Sequence, residues 1–298
     1  MANILPFKGI RPAKDKVHLV ASRSVDGYDA SELHSKLASN PYSFLHVISP
    51  DFSEGKKTKP GSPERLKKVK AKYQKYIDEQ ILVPDQEPAY YVYQQYKDEF
   101  IYTGIIACTS IDDYINGKIK IHEQTITDRE EKLMHYLEVC DFNAEPVLFS
   151  YENDSKIDEI TANTVKTAPE FDFTTTDKVR HKLWVINDPV IVKELRERFN
   201  TIPHVYIADG HHRSASSSLL GKLRRSQKGN FSGKEAFNYY LGIFFTETQL
   251  KIFDFNRVVK DLNGLNTQSF IEKLQSNFTV TFKGQEIYKP TQKHNFSM

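Results

Sequence analysis

The chain has 298 residues, with 41 Lys+Arg against 39 Asp+Glu, a formal net charge of +2, 39% hydrophobic and 27% charged residues. This is globular composition rather than disordered or membrane composition, and the even charge balance argues against a nucleic-acid-coating protein, which needs a basic excess to neutralise phosphates. Cys108 and Cys140 stand far apart, which excludes a cysteine zinc ribbon or a disulfide framework and suits a reducing compartment.

The N-terminus lacks the basic-then-apolar layout of a secretion signal, and no apolar run approaches the roughly 18 residues of a membrane span. The expected setting is therefore cytoplasmic, with no membrane partner. Residues 1–52 show no dominant helical period. Asn40-Pro41 signals a turn, and Phe44 to Ile48 reads as a short strand ending at Pro50. Residues 53–64 read as an exposed loop, after which Ser62 caps a helix with Pro63 at its first position. Leu66, Val69, Tyr73, Tyr76, Ile77 and Ile81 repeat at helical spacing, which leaves the lysines between 67 and 75 as a solvated face.

Ala89–Tyr96 and Ile101–Thr109 predict a hairpin, with the tyrosines at 90, 91, 93 and 96 packing the sheet rather than stacking on bases. A short strand at 118–121 follows the Gly117 turn. Thr127-Asp128-Arg129-Glu130 predicts a capping box at the head of a helix. Pro146–Tyr151 reads as a strand, residues 152–178 have no clear period, and Leu183–Ile186 is another strand. Asp188-Pro189 opens a helix that buries Val192, Leu195 and Phe199. Lys222–Lys234 reads as a basic linker, and Phe237–Thr246 with Leu250–Phe255 as a second hairpin. The polar end, 289–298, shows no closing element.

The chemistry concentrates after Pro203. A short strand, Val205-Tyr206-Ile207-Ala208, runs into Asp209-Gly210-His211-His212-Arg213-Ser214 and then into a helix. Strand, tight turn and helix form an anion-binding layout, because a helix N-terminus presents unpaired N–H groups and a partial positive charge. Gly210 lets a phosphate approach the backbone. Arg213 offers a bidentate fork, and His211 and His212 can donate hydrogen bonds or move a proton. Asp209, acceptor-only when ionised, is useful beside a phosphate if it holds Mg²⁺ or orients a hydroxyl. Two alternatives stay open: a polar turn whose histidines merely cap the helix, and a transition-metal site on Asp209, His211 and His212. The second is disfavoured because adjacent helical side chains point roughly 100° apart. A further candidate is His122-Glu123, at the end of the 118–121 strand, where the carboxylate could act as general base.

Four stretches together resemble the domain of unknown function family 1015: Phe7-Lys8-Gly9-Ile10-Arg11-Pro12, Asn40 to Val47, Gly117 to Thr125, and Tyr206 to Arg213. That family is distantly similar to the superfamily of ParB nucleotide-binding domains, sulfiredoxin and the free-serine kinases, whose kinases carry an Asp-Gly-His-His-Arg motif and an upstream glutamate base. The resemblance implies a mixed α/β fold with flanking helices around a ParB/sulfiredoxin-like strand–turn–helix nucleotide site. It divides the chain into an N-terminal α/β region, 1–110, and a ParB-like phosphate-binding region, 111–298, that would continue past Met298. By the same resemblance Glu123, Asp209 and His212 are catalytic. Gly210, His211, Arg213, Ser214 and His122 bind the nucleotide, and Asp209 holds the metal. Trp184 and His181 are weighed as flanks for the base, Trp184 more readily as core.

The expected function is that of an ATP- or ADP-dependent phosphotransferase with Mg²⁺, acting on a small hydroxyl-bearing metabolite, free L-serine by analogy. The alternatives are a nucleotide-sensing module without turnover, or a family protein inactive in this shortened form. A nucleic-acid partner, through Arg224, Arg225, Lys228 and Lys234, is the least expected. Sulfinic-acid reduction is not expected, because Asp209-Gly210-His211 stands where sulfiredoxin has a cysteine.

Overall fold

The computed structural model describes residues 3–53, 57–253 and 256–298. In chain order the first elements are β1 (Ile4–Leu5), β2 (Ile10–Pro12), α1 (Val17–Val20), α2 (Ala30–Ser39), α3 (Leu45–Ile48) and α4 (Pro63–Asp78). Then come β3 (Leu82–Pro84), β4 (Tyr90–Lys97), β5 (Phe100–Ser110), α5 (Ile111–Ile115), β6 (Ile119–Lys120), α6 (Thr127–Cys140) and β7 (Val147–Tyr151). The rest are α7 (Ser155–Thr164), β8 (Phe171–Thr174), β9 (Arg180–Ile186), α8 (Pro189–Phe199), β10 (Val205–Asp209), α9 (His211–Lys228), β11 (Tyr239–Thr246) and α10 (Thr267–Gln275).

The fold is mixed α/β. One nine-stranded sheet runs β6-β10-β7-β11-β5-β4-β9-β8, with β1 paired to the end of β5, and β2 and β3 form a separate pair. Parallel pairing occurs at β10–β6 and β11–β7, antiparallel pairing elsewhere along the path. The predicted β4–β5 hairpin turns at Asp98, a residue in the left-handed region with φ of 53°. The sheet's core joins Ile105, Phe149 and Phe244 to Ile157 of α7 and to Leu195 and Phe199 of α8. A second cluster packs Val47, Leu66, Val69, Tyr76, Cys140 and Phe142 between α4 and α6. Two compact units are distinguished, Met1–Lys251 and Ile252–Met298. Every strand lies in the first, and α10 is the one helix described in the second. No described helix is long and apolar enough to cross a membrane.

The helix-start signals hold at two places. Ser62 accepts the Arg65 N–H with Pro63 at the first position of α4, and Asp188 accepts from Val190 and Ile191 ahead of α8. Elsewhere the sequence expectations need correction. The apolar run 44–48 is not a strand. It forms the single helical turn α3, because Ser43 Oγ accepts the Leu45 N–H and Phe44 O accepts from Val47. Thr127 caps nothing. Ile126 is the N-cap of α6, and the hydroxyl–carboxylate pair forms between Thr125 and Glu130 instead.

The described residues of 1–52 contain three α-helices, and the aperiodic stretch 152–178 contains α7 and the edge strand β8. Lys222–Lys234 is not a linker over its first half, since α9 continues to Lys228. Gly221 sits inside α9 where a Cβ would collide with the Ile111 side chain and lie 2.7 Å from Phe237 O, so its role is close packing rather than helix ending. β11 pairs with β5 and β7 rather than with residues 250–253, which carry no strand. The remainder of that expected hairpin, 254–255, and residues 54–56 of the expected loop lie outside the described residues.

Candidate functional site

The strand, tight turn and helix that the residue pattern predicts are present. Val205 and Ile207 of β10 are buried, and the register of β10 against β7 shifts between Ile207 and Asp209. Such an irregularity bends a strand and re-aims its last residues. Gly210 follows with φ of 103° and ψ of 32°, a conformation that only glycine adopts freely. A Cβ there would also meet the Arg213 guanidinium at 2.9 to 3.1 Å. Ser214 N–H bonds to Gly210 O at 3.1 Å, and no side chain caps the helix. The N–H groups of His211, His212 and Arg213 therefore have no intrahelical acceptor.

Parallel pairing of β6 with β10, Ile119 opposite Val205 and Lys120 opposite Tyr206, carries His122 and Glu123 to the same turn. His122 N–H approaches His211 Nε2 at 3.4 Å, and the two rings meet edge to face with centroids 4.4 Å apart. A donor at Nε2 leaves the imidazole proton on Nδ1, which lies 3.5 Å from Glu123 Oε2. The His211 side chain is 3% exposed and that of Glu123 is 58% exposed, so a buried imidazole stands beside a carboxylate that faces solvent. Burial, helped by the His122 charge and opposed by those of Glu123 and Asp209, moves the His211 pKa below its ordinary value. His211 is thus neutral near pH 7.

The other residues divide between open and closed. His212 Nδ1 is buried with no partner among the described residues. Ser214 is fully buried. Its hydroxyl lies close to the Tyr240 hydroxyl, and neither makes a hydrogen bond of good geometry, so Ser214 faces the core rather than the turn. Arg213 is engaged: Nη2 contacts Asp209 Oδ2 at 2.5 Å, and Nη1 donates to Pro146 O at 2.5 Å and lies 3.6 Å from Glu145 Oε2. The anchors Glu145 and Pro146 had no sequence signal, because one acts through a backbone carbonyl and the other is a lone loop acid.

Asp209 spends its charge on Arg213. No group of three or more His, Cys, Asp or Glu among the described residues is arranged to hold a metal ion. A Mg²⁺ ion needs only one or two carboxylates when substrate phosphates supply further oxygens, so Asp209 fits that role once Arg213 turns to an anion.

Trp184 and His181 do not reach this turn. Trp184 is buried, with Nε1 donating to Thr167 O at 2.9 Å, and His181 Nδ1 meets the Tyr93 hydroxyl at 2.5 Å. Their strand β9 lies five places from β10, roughly 24 Å at about 4.8 Å per strand. Three basic residues of α9 are also engaged, Arg224 with Asp141, Arg225 with Asp112 and Lys228 with Glu235. Two hollows, of about 310 and 110 Å³, lie elsewhere and are lined by none of residues 122, 123 or 209–214.

No curated protein and no solved structure matches the chain. One family model does, described as a protein of unknown function (DUF1015), and it spans residues 4–298. Because that match covers nearly the whole sequence, the chain belongs to the DUF1015 family.

Proposed function

We propose that the β10–α9 turn binds the phosphates of ATP or ADP and that Glu123 is the general base toward a small hydroxyl substrate, so that the protein is a phosphotransferase. The observation that carries this reading is the 3.5 Å approach of Glu123 to His211 Nδ1. An exposed carboxylate at the head of a helix with no side-chain cap supports reading the pair as proton acceptor and anion cradle. The similarity of the motif residues to the free-serine kinases points to free L-serine as the acceptor.

Glu123 takes the proton of the substrate hydroxyl, that oxygen forms the new bond to phosphorus, and the phosphoanhydride bond breaks with its electrons leaving on the nucleotide. His211 Nδ1–H, 3.5 Å away, faces the Glu123 carboxylate. The N–H groups at 211–213 meet charge on the phosphate oxygens, and His212 Nδ1, buried with no partner among the described residues, offers a further polar atom. With Arg213 turned from Asp209 to phosphate, Asp209 would be the residue to hold Mg²⁺. Bound there, Mg²⁺ supplies charge neutralisation. Phosphoryl transfer needs mainly positioning and charge stabilisation.

The closure of Arg213 on Asp209 and Pro146 O favours a second reading, a module that binds nucleotide without turnover. Incubating the full chain with Mg²⁺, ATP or ADP and a panel of amino acids and polyols separates the two. Phosphorylated product that disappears in Glu123→Gln while nucleotide affinity is kept supports the enzyme. Nucleotide binding without product across the panel supports the module.

A further inference from the structure

The larger hollow, about 310 Å³, lies at the other end of β7 from the His211 turn. It opens where the parallel strands β7 and β11 end, at Tyr151 and Thr246, which are paired in register. The helix α7 that follows β7 closes it with Asp158 and Thr161. Ligands of α/β sheets gather at the carboxyl ends of parallel strands, and this volume sits at the small end of the metabolite range.

The lining has a single charge. Asp158 is its one ionisable side chain apart from Tyr151, and no Lys, Arg or His contributes. Acids close by in the sequence are neutralised, Asp154 by Arg198 and Glu159 by Lys156. The Asp158 carboxylate has no hydrogen bond or ion pair among the described residues. Most neutral groups are already committed: Gln94 Nε2 donates to Thr103 Oγ1, Gln249 Oε1 accepts the Thr103 N–H, and the Thr246 and Thr248 hydroxyls bond to each other. The Gln249 amide N–H groups and the Tyr151 hydroxyl remain. Burial, with the charges of Asp158 and Asp154 added, raises the Tyr151 pKa and keeps it a neutral phenol.

We propose that this hollow is a second ligand site, independent of the phosphotransfer reading, that takes a small primary ammonium compound with Asp158 as its counter-ion. An anion would meet a carboxylate with no cation beside it. A neutral polyol would leave that carboxylate with weaker, uncharged hydrogen bonds, whereas an ammonium makes charge-assisted ones. Tyr151 and Gln249 are placed for a second polar group on the same ligand.

The test is calorimetric titration of the full chain with putrescine and ethanolamine, and with 1,4-butanediol as the uncharged counterpart. At least one amine should bind about tenfold or more tightly than the diol, and Asp158→Asn should remove that preference. Ala162→Phe, which fills the hollow from α7 without touching a charge, should abolish amine binding while circular dichroism shows a folded protein. It keeps the test decisive if Asp158→Asn does not fold. Equal affinity for amine and diol, no binding of any probe, or amine binding retained in folded Ala162→Phe would overturn the proposal.

Discussion

Two polar segments of this chain are built from similar residues and behave differently. In the segment Asn40–His46, Asn40 Nδ2 donates to Leu19 O and His46 Nε2 bonds to Asn40 O at 3.0 Å. The buried Tyr76 hydroxyl lies within 3.1 Å of both Pro41 O and Ser43 O. In the β10–α9 turn, His212 Nδ1 has no partner among the described residues, the helix has no side-chain cap, and Glu123 faces solvent. The first segment spends its polar groups on holding the chain to itself. The second commits Arg213 to Asp209 and Pro146 O, but it leaves Glu123 open to solvent and His212 Nδ1 buried without a partner among the described residues, and the latter costs stability. Residue type alone does not separate a structural motif from a binding one. The partners do.

That contrast can be broken by substitution on either side. The largest effect is expected for Glu123→Gln, which should lower product formation by about 10²- to 10⁴-fold, the usual contribution of a general base. Thermal unfolding should leave this variant unchanged, since Glu123 is exposed. Tyr76→Phe should do the reverse. It removes the O–H shared by the Pro41 and Ser43 carbonyls, of which Ser43 O keeps the His46 N–H, and should cost about 1–3 kcal/mol by denaturant unfolding, with nucleotide affinity of the folded protein unaffected.

Gly210→Ala should act on both properties. A residue with a Cβ pays about 1–2 kcal/mol for the left-handed conformation, and the added carbon presses on the Arg213 guanidinium. Stability and nucleotide affinity should therefore fall together. A fall in stability with affinity intact would place phosphate away from this turn.

The smallest effect concerns pH. Burial comes first among the causes that lower the pKa of His46 and of His211, whereas in the unfolded chain both titrate near about 6.5. The unfolded chain thus binds more protons below that value. The stability these residues contribute is complete above about pH 6.5 and is lost as pH falls toward their lower folded values. Melting temperatures measured from pH 7.5 to 5 should decline, and His46→Gln should flatten the decline. An unchanged slope would remove His46 from the linkage.

The sequence made the turn legible because each requirement has its own residue: β-branched residues for β10, Gly210 for the positive φ, and a helical run behind it. The pairing of β6 with β10 was not legible as geometry, since Lys118–Ile121 and Val205–Asp209 lie far apart in the chain. The resemblance supplied the association of Glu123 with this site. Short apolar runs misled: Leu45-His46-Val47-Ile48 suits a strand as well as a helical turn, and only the backbone bonds made by Ser43 and Phe44 decide it. Thr127 had the spacing of a cap, but Thr125 makes the pair with Glu130. Helix α9 runs on through Gly221 because tertiary packing on Ile111 and the ion pairs of Arg224, Arg225 and Lys228 outweigh weak local propensity.

The most direct measurement is the structure of the full chain with Mg²⁺ and ATP or ADP bound. The account predicts phosphate oxygens within hydrogen-bond reach of the N–H groups of His211, His212 and Arg213, with the guanidinium turned from Asp209 onto phosphate and the acceptor side open beside Glu123. Phosphates seated elsewhere on the protein, with Arg213 still closed on Asp209 and Pro146, would contradict it.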